Sequence, residues 1–587
     1  MNKQNSGVVF VTVFLSLFFL VLAIGYAHSY NPGFFPDEFA HMGYVVDVIK
    51  NKFPDYNNGL VFSSNKLNYL NHPALYYVIV GELASLLHLQ DMYANVGRYV
   101  NMIISIIIII LTCRMLYATT KSMLATFTGG AFLLVIPMFV VLGSAINNDQ
   151  INVLGCTLVI YGLLGLIEVE RKNKSLTSSV IIICIGGIVA SLSKATGSLV
   201  IVCLLVSVAL FNFSTFIKII KKISLKEWLL IILSILIIIF YFACVHAIYD
   251  DFYPAPQGNP ALWFFIENPN AKRLDFLEFL VNFFKSNLVT ITIPYGHVPI
   301  IDSETRIVIL KSILIMLGGM SSYILAMKLS KNNTFFNLEF SFIIAFAIYI
   351  TVYVFTIRQL HLNTGYMGAM QARYFFGFLP VCSLVIGKFI CYVNSKIFQI
   401  IVFMLMVSGL ITSIYPALVK FTDLRMLQST IIIEQPLYNT SYGYLTKGRG
   451  FEQAILAESN SLNGVELMLA TYARNNHGAL ILELLDGSGV IIASDIVKME
   501  TIKDNSYTWF DFNNVKLKKN QKYLLRLKCN DCTQSNAITW WAVKKEVESH
   551  VFLLTKFGPG AGDAYSKGEA YVDGAKIGGA FAFRLYF

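Results

Sequence analysis

This sequence is short of charge. Asp, Glu, Lys and Arg supply 14% of its 587 residues, against 56% hydrophobic, whereas soluble domains carry about 25% charged residues. The deficit is concentrated in long apolar runs, which excludes a wholly soluble fold and makes lipid the solvent for most of the chain. The formal net charge of +10 does not read as a nucleic-acid surface, because the basic residues gather in short loops between apolar runs, as membrane topology predicts. Ionisable residues are scarce near the centres of those runs. There is no internal repeat and no long low-complexity segment. No small-x-small cleavage site follows the first run, which reads as a retained span rather than a signal peptide. A zinc-type cysteine cluster is missing too. Seven of the nine cysteines lie in or beside apolar runs as small core hydrophobes. Cys529 and Cys532 form a C-x-x-C pair without further zinc ligands nearby, which leaves a local disulfide or two free thiols.

What is present is about eleven apolar runs: 8–27, 98–117, 123–142, 151–168, 178–193, 197–213, 228–247, 306–327, 337–357, 374–392 and 397–418. Alternate connections carry Arg114 and Lys121; Arg171, Lys172 and Lys174; Lys218, Lys221, Lys222 and Lys226; Lys328 and Lys331; and Lys396. The positive-inside rule places these in the cytoplasm, with the N-terminus. The long loops 28–97 and 248–305, and everything after 418, then lie outside. The apolar stretch 74–87 is short for a span, and counting it as one inverts the downstream charge bias. It reads as a re-entrant or interfacial helix on the outer face. After residue 424 the pattern changes. Val465–Tyr472, Ala479–Leu485, Val490–Ala493, Tyr523–Lys528, Ala537–Ala542 and a closing run Gly579–Phe587 alternate with strand period, separated by turns such as Asp486-Gly487-Ser488-Gly489. The expected architecture is a polytopic α-helical membrane domain, 1–424, followed by a strand-rich extracytoplasmic domain, 425–587, of β-sandwich, jelly-roll-like form.

Polar clusters mark the outer ends of the spans. The first loop opens with Pro36-Asp37-Glu38-Phe39-Ala40-His41. Its adjacent carboxylates at a membrane surface could act as a general base, hold a divalent cation, or simply start a helix after Pro36. Asn71-His72-Pro73-Ala74-Leu75-Tyr76-Tyr77 could meet a polar headgroup or sugar, or form an aromatic belt. Asn147-Asn148-Asp149-Gln150 caps one span, Ser193-Lys194-Ala195-Thr196-Gly197 forms a tight turn between two, and Gln371-Ala372-Arg373-Tyr374 opens another. Lys194 and Arg373 stand on the face where the charge rule disfavours them, either as snorkelling cations or as phosphate ligands. Acids, amides and cations on one face describe an outward pocket for an anionic, lipid-linked ligand.

In this order the motifs resemble the GT-C glycosyltransferases, multi-span enzymes that use polyprenyl-phosphate-linked sugars on the outer face. The likeness is to a bacterial branch with a P-D-E-x-A-H first loop, an H-P-P-L-Y-Y-like segment, an N-D pair and a Q-x-R-Y segment, over roughly residues 8–418. Ala74 stands where that branch has a second proline. The resemblance implies a plasma-membrane transferase with a polyprenyl-phosphate-linked sugar donor and a cell-envelope glycan or lipid-linked acceptor. Asp37 would be the catalytic base, with Glu38 as its rival, and Arg373 and Lys194 would bind the donor phosphate. His41, His72, Tyr76, Asn148, Asp149, Gln371 and Tyr374 would position substrate. Some members use a divalent cation (Mg or Mn) and others none. The C-terminal sandwich would recognise carbohydrate, with Trp509, Trp540 and Trp541 as candidate stacking residues. Because strand neighbours face opposite sides, one of the adjacent pair Trp540 and Trp541 is expected in the core. A lipid-linked sugar flippase and a non-catalytic glycan-binding envelope protein are the competing readings. A flippase would want polar residues at mid-span.

Overall fold

The computed structural model describes residues 3–29, 35, 37–56, 72–172, 175–254, 271–292, 337–393, 395–421, 432–435, 440–472, 474–502, 506–544 and 568–587, with a few isolated positions. It divides into two compact units, one made of most residues through Leu418 and one made mainly of Val419–Phe587.

The first unit is helical. Its helices are α1 (Lys3–Ser29), α2 (Glu38–Asn51), α3 (Leu75–Leu86), α4 (Tyr93–Thr120) and α5 (Met123–Val135). They continue with α6 (Pro137–Ser144), α7 (Asp149–Lys172), α8 (Thr177–Ser191), α9 (Ala195–Phe211) and α10 (Phe213–Lys222). The last are α11 (Leu225–Tyr249), α12 (Phe276–Thr292), α13 (Asn337–Thr364), α14 (Leu379–Tyr392) and α15 (Lys396–Phe421). A 3₁₀ turn, Ala372–Phe378, runs into α14.

Among the described residues, six spans are long and apolar enough to cross a membrane, and two bent pairs raise that to eight. Of the eleven expected runs, 178–193 and 397–418 are the helices α8 and α15, whose apolar stretches are shorter. Run 306–327 lies outside the described residues except for Met320 and Ser321. The expected single span 123–142 is bent by 69° between α5 and α6. Pro137 stands at the first position of α6 and forces Ile136 into extended backbone (φ −88°, ψ 103°), as the residue before a proline prefers. The helix α3 has 12 residues, about 18 Å at 1.5 Å per residue, well under the roughly 30 Å of a hydrocarbon core.

Glycine allows the closest approach within the bundle. A Cβ on Gly155 of α7 would lie 2.5 Å from the Ala190 nitrogen of α8, and one on Gly186 would lie 2.7 Å from the Gly155 carbonyl oxygen. Small residues at such contacts let membrane helices pack backbone to backbone.

The second unit holds two antiparallel sheets. One has the order Ile432–Gln435, Phe583–Tyr586, Ser461–Ala470, Thr539–Lys544, Gly579–Phe581, with Thr440–Ser441 and Ser506–Lys516 pairing off that path. The other runs Ala575–Ile577, Ala570–Val572, Gly450–Leu456, Lys522–Cys529, Ala479–Leu485, Ile491–Lys498. Alternate residues of both, including Phe451, Val465, Leu467, Leu482, Phe510, Leu527 and Trp540, share one apolar core, as period-2 patterning requires. The closing run is two strands rather than one. Gly579–Phe581 pairs with Thr539–Lys544, Phe583–Tyr586 pairs with Ser461–Ala470, and Ala582 lies between. The Ala582 carbonyl accepts from Trp540 Nε1 at 2.8 Å, and Trp540 stacks on Phe581, so Trp540 is the core member of its pair. Trp509 and Trp541 are half-buried. Cys529 and Cys532 form a disulfide.

Candidate functional site

Asp37 caps α2 with its backbone in the left-handed region, φ 62°, which aspartate tolerates better than most residues. The next residue has a different environment. Glu38 is fully buried and held bidentately by Arg98 of α4, Nε to Oε1 and Nη2 to Oε2, both at 2.9 Å. The Ile146 N–H donates to the same carboxylate at 3.1 Å, and Arg98 Nη1 donates to the Ala27 carbonyl of α1 at 2.8 Å. Glu38 therefore ties α1, α2, α4 and the approach to α7 together. Asp37 keeps 27% of its side chain accessible and pairs instead with Arg373.

Arg373 continues the charge chain. Its Nη2 donates to Asp37 Oδ2, and its Nη1 lies 3.6 Å from Asp149 Oδ2. Asp149, at the start of α7, accepts from Lys194 Nζ at 2.5 Å. Both cations stand over the Tyr374 ring, Lys194 Nζ at 4.7 Å and Arg373 Cζ at 5.5 Å from its centroid, a favourable arrangement for a π face. Four segments remote in sequence thus supply a row of alternating sign: Asp37, Arg373, Asp149, Lys194. All but Asp37 are buried. Lys194 is placed by the turn between α8 and α9. There a Cβ on Gly197 would lie 2.2 Å from Asn152 Oδ1 and 2.6 Å from the Ala190 carbonyl, so only glycine lets the turn settle against α7. Asn148 Nδ2 fixes the same turn by donating to the Ser193 carbonyl at 2.7 Å.

Beside this row lies an aromatic wall. His41 follows Asp37 by one helical turn, on the same face of α2, and its Nδ1 is 2.8 Å from the Tyr77 hydroxyl. His72 stacks 6.4 Å from His41, and Tyr44 stacks on Tyr77 at 3.7 Å. The Tyr44 hydroxyl donates to the His72 carbonyl at 2.8 Å. Hydroxyl contacts of 3.1 Å link Tyr44 to Tyr56 and Tyr56 to Tyr241. Burial, then the nearby Arg373 charge, pushes His41 down to about 3. Burial, then Lys194, holds His72 well below its usual value. Both rings are neutral at physiological pH and act as dipoles rather than cations.

Of the residues expected from sequence, Asp37, Arg373, Asp149, Lys194, Tyr374, His41 and His72 come together, and Asn148 supports them. Gln371 stands at the entry to the 3₁₀ turn, where its carbonyl accepts from the Tyr374 N–H at 3.2 Å. Its buried Oε1 has no hydrogen-bond partner among the described residues. Tyr76 turns its hydroxyl to the Gly97 carbonyl of α4, at 3.2 Å, and Glu38 faces Arg98, so neither joins the row.

No protein-family model matches the chain, and no curated protein matches it. Among solved structures it is similar to ArnT from Cupriavidus metallidurans bound to undecaprenyl phosphate, at 15% identity over 65% of this chain and 77% of that one, with a TM-score of 0.32. The apo state of the same protein aligns over 64% and 77%, with a TM-score of 0.31. The apo oligosaccharyltransferase of Archaeoglobus fulgidus aligns at 12% identity over 70% of this chain and 55% of that one, with a TM-score of 0.38. At such distances function rests on the site's own residues.

Among the described residues, the donors of the site do not fit a divalent cation. Among the described residues no three His, Cys, Asp or Glu side chains are grouped to hold one. Asp37 and Asp149 face Arg373 and Lys194, and Glu38 is engaged by Arg98. Sequence reasoning missed Arg98, Tyr44, Tyr56 and Tyr241. Arg98 carries one weak signal, a charge near the start of an apolar run. The tyrosines of α2 and α11 carry none, because their meeting depends on the path of the first loop.

Proposed function

We propose that this chain is a membrane glycosyltransferase of GT-C type that transfers a sugar from a polyprenyl-phosphate-linked donor to a cell-envelope glycan or lipid-linked acceptor on the extracytoplasmic face. The observation that carries this reading is the row Asp37–Arg373–Asp149–Lys194, in which a part-exposed carboxylate pairs with one cation and a buried carboxylate joins that cation to a second. A donor that cannot leave the bilayer needs a site of this kind, with spans to hold the lipid and outer loops to hold the sugar.

In this reading Asp37 accepts the proton of the acceptor hydroxyl as that oxygen attacks the anomeric carbon. The new glycosidic C–O bond forms as the bond from the anomeric carbon to the phosphate oxygen breaks, and polyprenyl phosphate departs with the electron pair. Arg373 and Lys194 stabilise the charge growing on that phosphate. A preorganised donor in a dry site typically contributes a hundredfold or more in rate. Neutral His41 and His72 orient sugar hydroxyls without repelling the cations. Glu38 holds the loop that presents Asp37. Direct displacement inverts the anomeric centre.

The test is transfer from a polyprenyl-phosphate sugar by the full chain in lipid nanodiscs. Asp37→Asn and Arg373→Ala are each expected to lose at least about a hundredfold in rate. Transfer at the unsubstituted rate by both variants overturns the proposal.

A further inference from the structure

Arg358 lies outside the charge row. It belongs to the spanning helix α13, six residues before its end at Thr364, about 9 Å along the axis. Charged residues within spans are costly and as a rule mark a partner or a pathway. The buried Nη1 of Arg358 has no hydrogen-bond partner among the described residues. Its guanidinium rests over the ring of buried Phe279 of α12, 5.1 Å from the centroid.

Its neighbours among the described residues do not neutralise it. His361 packs on the same Phe279 ring at 5.6 Å. Its Nε2 accepts from the Leu274 N–H at 2.9 Å, which places the proton on Nδ1, 3.3 Å from the Tyr366 carbonyl. The imidazole is therefore neutral. A second cation, Arg273, donates to the Leu362 carbonyl at the end of α13, at 3.1 Å. Of the nearby acids, Glu278 pairs with Lys272 at 3.1 Å, and Asp275 caps α12 by accepting from the Glu278 N–H at 2.8 Å. Tyr366, whose carbonyl faces His361, also feels the charges of Asp37 and Arg373, which links this group to the candidate site.

We propose that Arg358 binds the phosphate of a membrane-embedded lipid, as a second anion subsite at the edge of the site. A planar guanidinium, half-buried against the Phe279 ring near the end of a span, suits a headgroup oxygen pair at that depth. The subsite's place in catalysis rests on the transferase reading, but its binding does not.

The test uses the full chain carrying Arg373→Ala, with and without a change at Arg358, so that the difference in lipid retained reports Arg358 over the Lys194 background, in phosphatidylcholine nanodiscs. One arm is doped with undecaprenyl phosphate and the other with phosphatidylglycerol, and native mass spectrometry counts the lipid retained. Adding Arg358→Gln is expected to lower retention about tenfold in one arm, and that arm identifies the lipid. Unchanged retention in both arms overturns the proposal. Arg358→Lys keeps the charge and loses the fork, so it is expected to lose about threefold. It decides the matter if Arg358→Gln does not fold, with unchanged retention again overturning the proposal. Asp37→Asn tests transfer without touching this cluster, so failure of the transferase reading and failure of this subsite give different results.

Discussion

The two adjacent carboxylates of the first loop separate by surroundings. Asp37 has an exposed edge and a cation, whereas Glu38 has a bidentate arginine and a backbone donor. Asparagine tolerates the left-handed conformation of position 37 as well as aspartate does, so Asp37→Asn is expected to keep its thermal unfolding temperature while losing transfer. Arg98→Met leaves Glu38 buried without its counter-charge, a loss of about 3–5 kcal/mol, seen as earlier unfolding in detergent or as poor accumulation. A stable Arg98→Met protein would contradict the structural role given to Glu38. Asp149→Asn strands Lys194 and Arg373 side by side with one carboxylate fewer, and the same measurement is expected to register it. The residue types of this row were legible in sequence, because cations on the face expected to be outer break the charge rule and acids beside a span need a reason. The partner of each was not. Nothing in Pro36-Asp37-Glu38 says which carboxylate turns towards Arg98, 60 residues on.

At the scale of elements, the turn between α8 and α9 is the least forgiving part of the site. Gly197→Ala places a methyl against Asn152 and the Ala190 carbonyl, and overpacking of this kind costs about 1–3 kcal/mol. The expected outcome is a folded protein with weakened donor binding, because Lys194 no longer reaches Asp149. Unchanged KM for the donor would show that the turn yields instead. Long apolar elements were readable from hydropathy alone, since span length is dictated by the bilayer. The bend at Ile136–Pro137 was also written in the proline, yet a run from 123 to 142 satisfies a hydropathy count whether straight or broken. The closing strand run failed for a related reason. Alternation from Gly579 to Phe587 is continuous, and the division at Ala582 comes from the two different strands it meets.

For the whole molecule, neutral buried histidines predict an acid limit. His41 sits at about 3 in the fold against about 6.5 when exposed, so between those values the unfolded chain binds more protons. This contribution to stability is complete above about pH 6.5 and is lost as pH falls towards 3. His72 acts in the same direction. Thermal unfolding of the chain in detergent is expected to drop on acidification through that window, and His41→Gln is expected to flatten the slope. An unchanged slope would place the acid sensitivity elsewhere. The helical and the two-sheet units differ in period, 3.6 against 2, and such periods are read over many residues and survive local errors.

The alternating row has one more consequence. Its four charges sum to zero, and Asp37 is engaged by the same guanidinium that an arriving phosphate would take. In the transferase reading the pair works as an interlock, since the base becomes available only when the donor's phosphate has displaced it from Arg373. Water reaching an empty site meets a carboxylate already engaged. Substrates would then bind in compulsory order, donor before acceptor. Polyprenyl phosphate should compete with the donor and fail to compete with the acceptor in product-inhibition kinetics.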